Sequence, residues 1–573
     1  MHIYVKHDIH ILCNPKWLIK YFNRGNSSKK GWMKMGIIAR VIAGVIALAL
    51  GIWGNYLASP AWGFRSTEMW WFLLIMGIIT VVIFGIVEWF LYEEEDEMPI
   101  CSIVSGVATV VIIIVMVVGG LTGAKSFNAA KYRDLIEIEE ADFERDIPKA
   151  TEDSEFFIVD VETARKLGDR TVGSIENISW YDVDDEYNLI KYQGEYYRIS
   201  ELNYGDIFKY KKAKNSGIPG YVLVNAVNQE AEFVQLEDPI YYSPSAHFGK
   251  KLDRHLRGQY PGYMFGTSFF EIDEDGNPYY VTAVKKPTIG LFSGKVEESF
   301  VITNAYSGES KEYLTEDLPE WVDHAFDLSY LMSVTDYNQK YVHGWVNSWK
   351  TKTDVKKTTY TYGGGYYNTA ITADGDIVFY TGVTPANNAE TNIGFVLANP
   401  RTGEVCYYYC PGAEETSAMS AAEGLVQNLG YVSTFPTILN VDGEETYFML
   451  LKDNAGLVQR YALCNIKNYA KVVEAETFEK ALTLYKEKIG TKTPEELEKE
   501  EKLEASGLIK ELYQAQIDGC TFYYFKIEGS NNLYMSSIKN SNKQVLLKEG
   551  TKVTLKYVES SEEGVFLVQK IQF

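Results

Sequence analysis

The sequence predicts an α+β membrane protein: three N-terminal transmembrane helices, then tandem antiparallel β-sheet/helix repeats and a small C-terminal β-barrel. Three observations carry this. Three long apolar runs fall within the first 123 of 573 residues. Four related stretches, each an aromatic residue, three mostly apolar residues and Asn, recur in the middle of the chain. Five short strand-like segments crowd into the last residues, from 508 to 573.

A chain this long exceeds what one core supports, so several domains are expected. Hydrophobic residues make up 46% of it, and 42 Tyr and 27 Phe favour a β-rich body, because aromatic side chains suit a pleated, half-buried surface. The net charge of −22 is uneven. Residues 1–123 hold 9 Lys/Arg against 8 Asp/Glu, and residues 124–573 hold 46 against 69. An acidic body lacks the cations that polyanion binding needs, which argues against nucleic acid as a partner.

Residues 1–35 form a basic tail, expected in the cytoplasm. Residues 36–123 contain the spans: Gly36–Ala58, Met69–Tyr92 and Pro99–Gly123. Each is long enough to cross the ~30 Å hydrocarbon layer as a helix. Trp70, Trp71, Trp89 and Tyr92 bracket the second span as interfacial aromatics. Lys16, Lys20, Arg24, Lys29, Lys30 and Lys34 precede the first span, whereas the first loop holds Arg65 alone. That bias predicts a cytoplasmic N-terminus, so three crossings place the large C-terminal region outside the cell membrane. Residues 124–155 read as a charged juxtamembrane stalk.

Residues 156–490 hold the repeat. Its four signature strands end at Asn225, Asn304, Asn399 and Asn465. Each is preceded by a glycine turn, at Gly194, Gly276, Gly375 and Gly443, which lies 22 to 31 residues before the Asn. Gly at such a turn supplies the positive φ of a tight hairpin. The Asn side chain can bond the backbone two residues on and shape the next turn. Helices are expected to close the units at Gly249–Arg257, Leu318–Phe326, Glu414–Gln427 and Thr477–Lys488. The last two carry clear stripes at helical spacing, such as Ala418, Ala421, Ala422 and Leu425.

Phe300-Val-Ile-Thr-Asn304 with its Ser-Gly turn, and Phe395-Val-Leu-Ala-Asn399 with its Thr-Gly turn, resemble PepSY-type modules over about 190–490. The resemblance implies extracytoplasmic, non-catalytic units that bind or restrain partners. The pattern departs from it in lacking Asp at the strand end and in its long insertions. The non-repeating insertions Lys285–Glu298 and Asn338–Gly365 are then the places where specificity belongs, together with the terminal barrel.

Residues 491–507 form a charged linker. In residues 508–573, five short strands suggest an OB-like barrel. Tyr523, Tyr524, Phe525 and Tyr534 could stack bases, but 8 Lys balance 7 Asp/Glu and Arg is absent there. Those aromatics are expected in the barrel core instead.

No catalytic motif emerges. His247, His255, His324 and His343 share no metal-ligand spacing, and surface positions are expected for His247 and His255. Cys406 and Cys410 flank a strand, about 13 Å apart on one face, too far for a disulfide. Asp273–Asn277 looks like the start of a calcium loop but has Val284 at its twelfth position, so it reads as a hairpin turn. The expectation is a non-enzymatic envelope protein with no cofactor and no metal. It would bind another envelope protein, a cell-wall polymer or itself. A sensor coupled to the acidic loop Glu93–Glu97 and a hydrolase built from scattered carboxylates are the alternatives.

Overall fold

The computed structural model describes residues 29–95, 98–152, 154, 156–175, 177–387, 391–489, 503–517, 520–538, 542–559 and 564–573. The basic tail before residue 29 and most of the 491–507 linker lie outside the described residues. The chain divides into two compact units: residues 1–142 with 155–409, and residues 143–154 with 410–573. The fourth repeat therefore belongs with the barrel, whereas the sequence grouped it with the other three.

In the first unit, three helices follow from the apolar runs: α1 (Lys29–Ala58), α2 (Thr67–Glu95) and α3 (Ile100–Thr122). Within them, 23, 25 and 23 residues are apolar enough to cross a membrane. Their side chains stay outward, Leu48, Ile52 and Val104 among them, as lipid-facing residues do. Helix α2 packs against both α1 and α3. After α3 the chain forms helix α4 (Lys125–Arg133) and a short strand, Ile138–Glu140. A short helix is expected in this juxtamembrane stretch.

Helix α5 (Val161–Thr171) is capped by Asp160, whose side chain accepts a bond from the Thr163 amide. The first sheet then runs β1 (Asn188–Tyr192), β2 (Glu195–Tyr204), β3 (Ile218–Asn225) and β4 (Ala231–Ile240), each strand antiparallel to the next. Helix α6 (Leu252–Gln259) leads to the second sheet: β5 (Met264–Ile272), β6 (Pro278–Ile289), β7 (Ser293–Asn304) and β8 (Ser310–Leu314). Helices α7 (Leu328–Lys340) and α8 (Gly344–Trp349) precede the third: β9 (Asn368–Ile371), β10 (Ile377–Pro385), β11 (Thr391–Ala398) and β12 (Val405–Ala413). These four strands form a meander in chain order in each sheet; the first sheet adds Tyr181–Val183 beside β2, and the third adds Ile138–Glu140, parallel to β12, and Lys356–Thr358, antiparallel to β10.

The sheets of this unit pack on one another, which explains their nearly continuous apolar runs. Period-two alternation makes the second sheet two-faced. Phe270, Tyr280 and Val301 join the core of the first sheet, while Val281, Phe300 and Ile302 meet Phe379, Val396 and Tyr407 of the third. Leu189 and Tyr196 of the first sheet also pack with Ile377 of the third.

In the second unit, the fourth sheet repeats the meander: β13 (Thr437–Val441), β14 (Glu444–Lys452), β15 (Val458–Asn465) and β16 (Val472–Ala475). Helices α9 (Glu415–Leu425) and α10 (Phe478–Ile489) pack on it, as their stripes predict. The barrel is closed and five-stranded: β17 (Leu503–Ile517), β18 (Cys520–Ile527), β19 (Leu533–Ser537), β20 (Lys552–Glu559) and β21 (Val565–Gln572). Its order is β17-β18-β19-β21-β20, with β19 and β21 parallel and β20 pairing back onto β17.

One expectation needs correction. Leu318–Phe326 is not helical; the helix begins at Leu328, where Asp327 accepts a bond from the Tyr330 amide and sets the N-terminus. Helix α6, as expected, buries Leu252 and Leu256 in the core of the first sheet, while its arginines reach the ends of the membrane helices, as described below.

Candidate functional site: the membrane seat and the buried acids

The repeated glycines sit at the β1–β2, β5–β6, β9–β10 and β13–β14 turns, with φ of 85° at Gly194, 81° at Gly276, 83° at Gly375 and 88° at Gly443. The repeated Asn residues end β3, β7 and β15, and in the third sheet Asn399 directly follows β11. In a four-strand meander these two turns lie at the same end of the sheet, and the Asn ties them together. Asn225 Oδ1 accepts from the amides of Val227 and Asn228 at 2.9 and 3.0 Å, and its Nδ2 donates to Glu195 at 3.0 Å. Asn399 accepts from Arg401 and Thr402 at 2.8 and 3.2 Å and donates to Asp376 at 3.3 Å. Asn465 accepts from Asn468 at 2.9 Å and donates to Glu444 at 3.2 Å. Asn304 accepts from Tyr306 and Ser307 at 3.1 and 2.8 Å. In three repeats the carboxylate partner immediately follows the turn glycine. These are structural clips spread over four sheets, and they do not converge on one site.

What does converge lies where the β-rich body meets the membrane helices. The loop between α1 and α2 and the end of α3 are bonded into the first unit. Arg257 of α6 donates to the Ser59 carbonyl at 2.9 Å and pairs with Glu68 at 3.3 Å. Glu68 in turn accepts from the Ala61 amide at 2.8 Å. Arg254 stacks 4.4 Å over the Tyr56 ring and donates to the Tyr56 carbonyl. The Trp62 amide donates to Pro261 at 2.7 Å.

The long β6–β7 hairpin supplies the other half of this seat. Its tip, inside the Lys285–Glu298 insertion, rests on α3. A Cβ on Gly119 would stand 2.3 Å from the Phe292 ring, and one on Gly123 would stand 2.3 Å from Ser293 Oγ. Only glycine permits so close an approach. Arg65 donates to the Gly290 carbonyl at 3.0 Å. The loop between α1 and α2 and the end of α3 are therefore held by the same hairpin.

At the opposite end of the spans, Glu88 of α2 is 2% exposed. Its carboxylate accepts from the Cys101 and Ser102 amides, both at 2.8 Å, and from Ser102 Oγ at 2.6 Å. It thereby satisfies the open amides at the start of α3, where negative charge is favoured. Arg40 of α1 stands 3.4 Å away. One carboxylate thus links all three helices. Between α1 and α2 lies a cavity of about 550 Å³, lined by Gly44, Ala47, Gly51, Phe72, Met76 and Phe84 among others.

Titratable groups are also buried between the sheets. Glu271, at 0% exposure, accepts from the His324 amide at 3.0 Å, and burial pushes its carboxyl well above the usual range. Asp323 beside it is pushed up to about 7 by burial and by the Glu271 charge. Burial lowers His324 to about 4, so the imidazole is neutral at pH 7. Tyr280 donates to Glu201, whose carboxyl burial raises to about 8. Glu297 is raised to about 7 by burial, with Lys285 at 3.6 Å. Perturbed carboxylates mark active sites when they face a cleft. Here they are enclosed between sheets, so they act as internal polar ties.

The histidines do not gather. His255 bonds the Gly308 carbonyl at 2.6 Å, and His343 pairs with Asp354 at 2.9 Å. His324 is 4% exposed. The apolar Val322, Ala325 and Phe326 around it were the available sign. No group of His, Cys, Asp or Glu among the described residues could hold a metal ion. Cys406 and Cys410 lie on β12, and Asp273 shapes its hairpin turn by accepting from the Asp275 and Asn277 amides. In the barrel, Tyr523, Phe525 and Tyr534 are buried and Tyr524 is half-buried.

No family model matches the chain, and no curated protein matches it in sequence. Among solved structures, one described as "Structural mimicry for functional antagonism" shares 7% identity over 25% of this chain and 88% of that one, with a TM-score of 0.11. A Trypanosoma rangeli sialidase in complex with 2,3-difluorosialic acid shares 10% identity over 68% of this chain, which spans 53% of the sialidase, with a TM-score of 0.18. An exo-1,5-alpha-L-arabinanase from a bovine ruminal metagenomic library shares 8% over 69% and 99%, with a TM-score of 0.15. At these scores the likenesses carry no inference about this chain.

Proposed function

We propose that this is a membrane-anchored extracytoplasmic binding or scaffolding protein of a bacterial cell envelope, acting without catalysis. The observation that carries the reading is the seat. A tethered enzyme needs only a flexible leash, whereas here Arg254, Arg257, Arg65 and the β6–β7 tip fix the first unit on the ends of the spans. Such an arrangement suits a protein whose task is to present surfaces in a set orientation. The enclosure of Glu271, Glu201 and Glu297 supports the same view, because a polymer cannot reach them.

The strand order of the barrel, with its parallel β19–β21 pair, supports an OB-like module. We assign it the role of a binding head for another envelope protein, a cell-wall polymer or a second copy of the chain. Its buried aromatics leave little for base stacking. The test is affinity capture of the full-length chain after crosslinking in intact cells. Recovery of one reproducible partner, polymer fragment or homo-oligomer is expected. Recovery of the chain alone, as a monomer, contradicts the proposal.

A second reading, a sensor, is favoured by one specific feature. The hairpin tip presses on α3 at Gly119 and Gly123, and the start of α3 is held by Glu88 next to Arg40. A movement of the hairpin would be felt along the helix.

A further inference from the structure

Helix α8 is inverted. Its buried residues are the polar Asn347 and Ser348, while Trp345, Val346 and Trp349 are 39%, 57% and 56% exposed. Asn347 explains the inward face: it donates to the Thr353 carbonyl at 2.8 Å and accepts from the Thr353 amide at 3.0 Å, folding the following loop beneath the helix. Nothing inside the unit explains the outward face. Trp345 and Trp349 lie side by side, their rings tilted by 58° with centroids 5.7 Å apart, and Val342 extends the patch. Exposing two Trp and two Val at adjoining positions is costly in water and marks a contact surface.

The position of α8 says what covers it. Helix α4 starts two residues after α3 leaves the membrane. It does not stand away from the bilayer, because Tyr132 near its far end donates to the Gly123 carbonyl at 2.9 Å. Helix α8 packs on α4, and α4 itself exposes Phe127 at 79%. The patch therefore sits on a helix packed against the one that leaves the third span. Trp is the residue favoured at the headgroup level, and Lys350, exposed just beyond Trp349, can extend its ammonium to lipid phosphates.

We propose that α8 is a fourth membrane contact, an interfacial helix whose Trp345, Val346 and Trp349 insert into the headgroup region of the leaflet facing the β-rich body. The occupant of the patch is phospholipid. It is an extra anchor, set by the Asn338–Gly365 insertion, and independent of whether the protein binds, scaffolds or senses.

The test uses the full-length chain in phosphatidylcholine–phosphatidylglycerol nanodiscs. Val346→Cys, an exposed position that should not disturb folding, is labelled with an environment-sensitive bimane. The unmodified chain is labelled in parallel, to subtract its six native cysteines. Emission should be blue-shifted, and lipids with a nitroxide near the headgroup should quench it at least about twofold, as for a side chain at the bilayer interface. Adding Trp345→Ser and Trp349→Ser should abolish most of that quenching. A water-like emission without quenching overturns the proposal. So does a blue shift that lipid nitroxides leave untouched, since protein would then be covering the patch.

Discussion

Asn225, Asn399 and Asn465 each serve two turns at once, accepting from the turn that follows and donating to a carboxylate across the hairpin. Replacing Asn225 by Ala leaves turn amides and Glu195 without this partner. The expected cost is about 1–3 kcal/mol, the range for buried groups left unsatisfied. Chemical denaturation of the full chain in nanodiscs should show it, and an unchanged midpoint would reduce the Asn to decoration. The buried acids give a pH prediction. Glu201, Asp323 and Glu297 hold their protons in the folded state up to about 8, 7 and 7, well above their unfolded values. Between those values the folded state binds more protons, so stability is full at low pH and is lost as pH rises through the folded values. His324, lowered to about 4, acts in the opposite sense, but only below its ordinary value of 6.5. Above pH 6.5 the acids act alone, so the Tm should fall from pH 6.5 to 8.5. Glu201→Gln should flatten that decline, and a Tm that rises over this range contradicts the assignment.

At the scale of elements, the seat turns on glycine. Gly119→Val would drive a side chain into Phe292, an overpacking that typically costs 1–3 kcal/mol. Hydrogen exchange at residues 289–293 should accelerate, while exchange in the fourth sheet stays unchanged. The barrel answers separately. Phe525 is fully buried, and Phe525→Ala should cost about 3–5 kcal/mol. Limited proteolysis should then cut within 503–573 while β1–β12 persist. Some of these elements were legible in the sequence and others were not. The three spans, the Gly turns and the α9 and α10 stripes are local patterns, set by residues within a few positions of each other. The missing helix at Leu318–Phe326 shows the limit: apolar spacing there reflects side chains drawn into the core between two sheets. Helix α8 was equally illegible, because its outward Trp pair follows helical spacing and looks like an ordinary core face.

For the whole molecule, sequence patterning located the three apolar helices and the β-rich segments that follow them, but not the division at residue 409. That division depends on which sheets share a core, and side chains far apart in the chain decide it, such as Glu201 with Tyr280 or His324 with Phe379. The same holds for the seat, whose partners Arg65 and Gly290 lie 225 residues apart. The two insertions singled out for specificity, Lys285–Glu298 and Asn338–Gly365, contain the hairpin tip that rests on the third span and the exposed helix packed beside that span's exit. In this account the variable material of the first unit serves the membrane, which leaves the barrel and the outer strands to meet a partner.

The central claim is that the β-rich body is held on the spans, outside the cell. Cysteines introduced at Arg65 and Leu291 of the full-length chain, treated in intact cells with a short membrane-impermeant bis-maleimide, test both parts together. The account predicts an intramolecular crosslink between the two positions, with Cys13 of the basic tail labelled only after the cells are opened. Failure to crosslink, or labelling of Cys13 in intact cells, would contradict it.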